Sequence, residues 1–329
     1  MPIQAFKLPG DLPILIDLIP LAFQYPEHEA WSMQADEIES FVDSTKTLHR
    51  LWPLLRVAQV FSPSLRDLLL GYIWFEDDRP VGLTNVLRQG SSDRWIIGNV
   101  AVLPDYRRRG IARQLVAASV DLARQRGARA ISLDVVADNL PAYALYDRLG
   151  FVHYTGRAEL VHEGGALLPE STLPDGYTLQ RGTVTDWRPR YSLAQRITPD
   201  AVQQYTPVEA DYFRQSSLLR ALAPLIQRAM GNRVDVFKVH AQGQIVASGI
   251  VTARLHPGGM NSLSILLDPA HAALAPAFVD CLLRHVLTLS PGRRTELSVP
   301  HWQPDVIAAA LAAGFVKRCD TATMGTFCD

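Results

Sequence analysis

The strongest constraint on this chain is that it repeats itself. A shift of 165 residues lays Val81 on Val246, Pro104 on Pro269 and Gly127 on Gly292, and a shift of 164 lays Gly150-Phe151-Val152 on Gly314-Phe315-Val316. Two halves of similar length and the same element order read as an old duplication. The chain has 329 residues, 48% of them hydrophobic, so each half can bury a core of its own. Two tandem domains are expected, 1–165 and 166–329, with a Gly-, Pro- and Ser-rich connector at 163–176.

Periodicity supplies the elements. A short start at 3–7 precedes residues 11–66, which read as helices broken by Pro13, Pro20, Pro26 and Pro53. Strands follow at 69–76, 80–87 and 95–103, in the order of a meander. Ile111, Leu115, Ala118, Ser119 and Leu122 then form one stripe of a helix that closes near Gly127. Residues 130–136 are a buried-type strand. A second helix begins at Asp138 or Asn139 as cap with Pro141 in its first turn. It has Ala142, Leu145, Tyr146 and Leu149 inward, stops at Gly150 and leads into a strand at 151–162. The second half offers strands at 234–240, 244–254 and 262–267, a helix at 271–289, a strand at 294–299 and a helix at 303–313.

Composition excludes several functions. Lys+Arg 32 against Asp+Glu 33 gives a formal charge of −1, without the basic excess that nucleic acid or an anionic membrane would require. Cys281, Cys319 and Cys328 form no Cys-x-x-Cys, as expected of a reducing cytoplasm. The apolar stretch 12–23 is interrupted by Asp17 and two prolines and lacks a cleavage site, so export is not expected. No apolar run is expected to reach the roughly 18–20 residues of a membrane span. The nine histidines are scattered, so no metal is expected. Neither a Gly-x-Ser-x-Gly elbow nor a Gly-x-Gly-x-x-Gly turn after the first strand occurs, which removes serine hydrolase and dinucleotide oxidoreductase readings.

What remains is the run Asn99 to Arg113, from a strand through a basic turn into a helix start. Physically this is an anion site: the first turn of a helix leaves N–H groups unpaired, its dipole is positive there, and Gly110 and Ala112 leave the backbone approachable. Arg107, Arg108, Arg109 and Arg113 add charge, although a solvated basic turn at a surface helix has the same composition.

Residues 95–151 as a whole resemble the GNAT acetyltransferase superfamily. Arg107, Gly110 and Ala112 match its pyrophosphate signature. Asn139-Leu-Pro-Ala-Tyr-Ala-Leu-Tyr-Asp-Arg-Leu-Gly-Phe151, about 30 residues on, matches its second motif. The resemblance implies an α/β (α+β) fold: two tandem GNAT-like domains, each a mixed, mostly antiparallel sheet flanked by helices, with a splayed strand pair for coenzyme A. It implies acetyl-coenzyme A (acetyl-CoA) as co-substrate, no metal, and transfer of the acetyl group to a primary amine on a small molecule, amino acid or peptide N-terminus. The cofactor set it implies is Ala101, Val102 and Leu103 along the strand edge, then Arg107, Arg108, Arg109, Gly110, Ile111, Ala112 and Arg113 through the turn. Asn139, Ala142, Tyr143 and Tyr146 on the second helix complete it.

Tyr146 is the candidate acid for the departing thiolate, since a phenol with a pKa near 10 is protonated at neutral pH. Its spacing is equally that of a core stripe. Asp134, twelve residues earlier, is the first candidate base, where the family's ribosomal-protein N-terminal acetyltransferases carry a glutamate. One methylene shorter, it serves equally well to hold a backbone amide. Asn99 stands where many relatives place a carboxylate and would act only through a water, and direct loss of the amine proton to solvent is the remaining route. A non-catalytic acyl-CoA sensor or scaffold is the competing function.

The second half lacks the chemistry. Opposite Arg107–Ala112 stand Ala272, Ala273, Leu274, Ala275, Pro276 and Ala277, opposite Tyr146 stands Ala310, and opposite Asn139 stands Gln303. It is expected to bind coenzyme A weakly or not at all. By fold-level analogy it covers the acceptor side, in a monomer that is its own pseudo-dimer or in a weak homodimer.

Overall fold

The computed structural model describes residues 2–61, 69–90, 92–165, 172–183, 185–214 and 231–328. They form two compact units, Met1–Tyr154 with Ala322–Asp329, and Thr155–Thr321.

The first unit contains β1 (Ile3–Ala5), α1 (Leu12–Ala22), α2 (Ala35–Phe61), β2 (Leu70–Glu76), β3 (Arg79–Arg88), β4 (Arg94–Val102), α3 (Ile111–Gln125), β5 (Ala130–Val136) and α4 (Leu140–Arg148). The strand β6 (Val152–His162) leads out of it. Then come β7 (Tyr177–Gly182), α5 (Arg188–Ile197), the single turns α6 (Asp200–Gln203) and α7 (Ala210–Phe213), β8 (Asn232–Ala241), β9 (Gln244–Arg254) and β10 (Asn261–Leu267). The chain ends with α8 (Ala275–Leu289), β11 (Thr295–Pro300), α9 (Pro304–Ala312) and β12 (Val316–Phe327). The strand order is β1-β2-β3-β4-β5-β12 in the first unit and β6-β11-β10-β9-β8-β7 in the second. The pairs β1·β2, β2·β3, β3·β4, β6·β11, β10·β9, β9·β8 and β8·β7 are antiparallel, and β4·β5 and β10·β11 are parallel.

The expected division at 165/166 differs from these units in one respect: each half's last strand completes the other unit. β6 pairs antiparallel with β11, Leu160 opposite Leu297, and Ala158 and Leu160 lie in the second core. Residues 322–327 of β12 join the first unit, where Ala322 and Met324 are buried beside Tyr146 and Phe151 and Cys328 N–H bonds to Arg129 O at 2.9 Å. The reason is that both strands alternate apolar and polar residues, so either can present an apolar face to either core.

Two further expectations are corrected. Two of the four prolines expected to break the helices of 11–66 do not: Pro20 lies inside α1 and Pro53 inside α2, whereas Pro13 stands in the first turn of α1 and Pro26 between the two helices. In α1 the lost N–H is outweighed by packing, since Leu15, Leu18 and Ile19 are all buried. The segment Pro269–Leu289 does reach the length and apolarity of a membrane span, half of it being buried. Its apolar residues Leu274, Phe278, Leu282, Leu283 and Val286 fill the second core. The connector at 163–176 falls partly outside the described residues.

Candidate active site

β4 and β5 are paired only at their beginnings, from Arg94 opposite Ala130 to Ile97 opposite Leu133. Beyond that point β4 runs on to Val102 and β5 to Val136 without partnering each other, which leaves a gap. The parting starts at a bulge, where Asn85 faces Asn99 and Val86 faces Ile97, with Gly98 as the extra residue. A side chain there is obstructed, since a Cβ on Gly98 would lie 2.6 Å from Asn85 Nδ2.

The bulge inverts the side-chain alternation. Ile97 packs with Val116, Leu133 and Tyr146, whereas Asn99 turns to the other face and donates from Nδ2 to Asn85 Oδ1 at 2.7 Å. That face carries a cavity of about 230 Å³ lined by Leu12, Leu15 and Ile19 of α1, Phe41, Ser44, Thr45 and Leu48 of α2, and Leu69, Asn85 and Asn99. Asp134 lies on this face as well, because its neighbours Leu133 and Val135 point into the core with Tyr146. Its carboxylate is exposed and accepts from Thr323 Oγ1 of β12 at 2.6 Å. Asp134 and Tyr146 therefore bracket β5 from opposite faces rather than meeting.

Of the three strand-edge residues, Val102 offers its amide to the gap. Leu103 N–H bonds back to Val81 O at 2.9 Å, so alternation aims the N–H and C=O of Val102 away from β3. At the far end, α3 starts from Gly110 in the left-handed region (φ 80°) with no side chain capping it, and a Cβ on Gly110 would meet nothing within 4 Å. The first bond inside the helix is Gln114 N–H to Gly110 O, so the N–H groups of Ile111, Ala112 and Arg113 have no helical acceptor. This is an open cradle of N–H groups without helical acceptors beside a strand edge.

The arginines divide. Arg108 and Arg113 are exposed at the cradle. Arg109 bonds to Asp105 O at 2.9 Å and covers Tyr106. Arg107 donates to Val102 O at 3.3 Å and Ala22 O at 2.8 Å, so its side chain serves the frame. On α4, Asn139 Oδ1 caps the helix by accepting from Ala142 N at 3.3 Å, and Tyr143 meets His153 edge-on. Tyr146 is 6% exposed, and burial first, then the neighbouring Tyr25, pushes its phenol well above the usual range.

Residues 31–151 match the model of the acetyltransferase (GNAT) family. Through this half the chain is similar to the GNAT superfamily. N-alpha-acetyltransferase 30 of Schizosaccharomyces pombe is 29% identical over 144 residues, 43% of this chain and 86% of that protein. The [ribosomal protein bS18]-alanine N-acetyltransferase of Escherichia coli is 42% identical over 65 residues, 20% of this chain and 44% of the relative, so less than half of that relative's length is spanned. In fold, a tandem GNAT protein from the clavulanic acid biosynthesis pathway superposes with a TM-score of 0.66 at 16% identity over 99% of both chains. A GCN5-related N-acetyltransferase from Sphaerobacter thermophilus gives 0.67 at 14% identity, over 99% of this chain and 96% of the other. Both halves thus share the fold of these chains, and residues 31–151 are similar to GNAT-family N-acetyltransferases.

Three residues around this GNAT gap escape the motifs. Asn85, 4% exposed, is signalled only by being polar between Thr84 and Val86 in a buried strand. Tyr25 lies in the connection between α1 and α2. Thr323 is 189 residues from the carboxylate it binds, and no local pattern points to it. No cluster of three or more His, Cys, Asp or Glu suited to a metal occurs among the described residues.

Proposed function

We propose that the first unit transfers the acetyl group of acetyl-CoA to a primary amine at the gap between β4 and β5, with the N-terminus of a peptide as the first acceptor to test. The observation that carries this is the continuity of the gap with the uncapped start of α3: an amide-bearing arm pairs with Val102 as an added strand would, while its pyrophosphate reaches the N–H groups of 111–113. Two relatives named for acetylating N-termini or an alanine favour a peptide acceptor.

The unprotonated amine attacks the thioester carbonyl carbon. A C–N bond forms, the tetrahedral oxyanion collapses, the C–S bond breaks, and the thiolate takes the Tyr146 proton. The amine's surplus proton leaves toward the other face of β5, to Asp134, to a water held at Asn99, or to solvent. Asn85 and Asn99 form the polar floor of the neighbouring cavity, where the acceptor enters between α1 and α2.

Calorimetry with acetyl-CoA and thiol release with N-terminal peptides test this. Binding abolished in Gly110→Glu and turnover abolished in Tyr146→Phe are expected. Equal affinity in native chain and Gly110→Glu would refute the site, and binding without turnover of any amine would make the protein an acyl-CoA sensor.

A further inference from the structure

The second unit repeats the backbone of the first at the end of its own gap. β10 and β11 pair from Asn261 opposite Thr295 to Leu263 opposite Leu297 and then part. Asp268 N–H bonds to Val246 O at 2.8 Å, the counterpart of Leu103 to Val81 at 2.9 Å, each partner shifted by 165 residues. Leu267 is thus the equivalent of Val102, and alternation aims its N–H into the gap.

Here that N–H is already met. It donates to Oε1 of Gln303 at 3.0 Å, and Gln303 is 3% exposed. Gln303 and Asn139 stand at the same place, the residue before their respective helices α9 and α4, but behave differently. Asn139 folds back and caps its own helix, whereas Gln303, one methylene longer, leaves α9 without a side-chain cap and reaches across to β10. Its Nε2 is buried without a partner among the described residues. The carboxamide therefore reproduces the accepting half of an amide laid along the strand, while its donating half is idle, an arrangement that packing alone does not require.

We infer that Gln303 is a built-in stand-in for a ligand amide, filling in the second unit the strand-edge position that the first keeps open, so that the chain takes up one acetyl-CoA. The nature of what is imitated rests on the function proposed above; the closure itself does not. Together with the alanine-rich segment 272–277, it accounts for a second unit that keeps the GNAT frame and binds no cofactor.

Amide hydrogen exchange read residue by residue by NMR tests this. Without ligand, Leu267 exchanges slowly and Val102 quickly. In Gln303→Asn the shorter side chain turns back to cap α9 as Asn139 caps α4, so Leu267 exchange accelerates about tenfold or more without loss of melting temperature. Gln303→Met, equal in length but lacking the acceptor, accelerates it likewise. Saturating acetyl-CoA slows Val102 and leaves Leu267 of the native chain unchanged. Identical Leu267 exchange in the native chain and both variants would overturn the inference, as would protection of native Leu267 by acetyl-CoA. Acceleration of Leu267 in the variants with no effect of acetyl-CoA on Val102 would support the closure while overturning the function proposed for the first unit.

Discussion

The guanidinium of Arg107 lies 4.5 Å from the centre of the Tyr25 ring and donates to the carbonyl of Ala22, the last residue of α1. A cation at a helix C-terminus is favourable, and here it ties the anion turn to the segment between α1 and α2. The side chain that opens the pyrophosphate signature is thus committed to the connection between α1 and α2, which under the proposed function leaves the turn's backbone for phosphate. Replacing Arg107 with Ala removes a charge-assisted bond and a ring contact worth together about 2–3 kcal/mol, several degrees in Tm for a unit of this size. Acetyl-CoA affinity is expected to stay within about tenfold while KM for the amine rises more. A larger loss of acetyl-CoA affinity than in the Arg108→Ala, Arg113→Ala double variant would show that the Arg107 charge serves the cofactor after all.

Tyr146→Phe is expected to lower kcat by about 10²- to 10⁴-fold, the usual range for a positioned proton donor, with acetyl-CoA affinity changed little. Burial raises the Tyr146 phenol above its ordinary value, with Tyr25 adding to the shift, so the protonated form persists through the alkaline range. The kcat profile should therefore show no fall attributable to this phenol below about pH 10. A basic limb below that value which disappears in Tyr146→Phe would contradict the raised phenol.

The strand Ala130–Val136 and the strand Gln244–Arg254 were legible to the residue, because their apolar runs end at turn residues. So was the glycine turn that opens α3, whose geometry is local. The bulge at Gly98 is another matter: a uniform strand over 95–103 puts Asn99 on the face of Ile97, and one extra residue reverses it. Glycine inside a strand is the signal, but it does not say which side gains the residue. The exchange of β6 and β12 is illegible for a deeper reason. Gly150-Phe151-Val152 and Gly314-Phe315-Val316 start the two strands identically, and alternation specifies which face is buried, never which neighbour buries it. Thr323 beside Asp134 follows from that exchange and was hidden with it.

That contact yields a further test. If the Asp134 carboxylate takes the amine's proton, Asp134→Asn lowers kcat/KM about a hundredfold at neutral pH and Asp134→Glu restores part of it. Thr323→Val, which removes the 2.6 Å bond that orients the carboxylate, is expected to cost about tenfold or less with Tm little changed. Equal drops in Tm for Asp134→Asn and Thr323→Val with unchanged kcat would reduce the pair to a tie between β5 and β12.

His162, at the end of β6, is placed to make the second unit sensitive to acid. It is 8% exposed, and its Nδ1 accepts from Gly164 N–H at 3.0 Å beside the ring of Phe315, a geometry open only to the neutral ring. Burial holds its pKa below the ordinary value, with Glu163 opposing the shift. Above about pH 6.5 the imidazole is neutral in both folded and unfolded chains and the stability is fully present. As pH falls below that, the unfolded chain takes up a proton that the folded one refuses, and stability declines until the folded pKa is passed. Tm measured from pH 8 to pH 5 should fall less in His162→Leu than in the native chain, the two curves converging on acidification. Parallel curves would show that protonation of His162 is not coupled to unfolding.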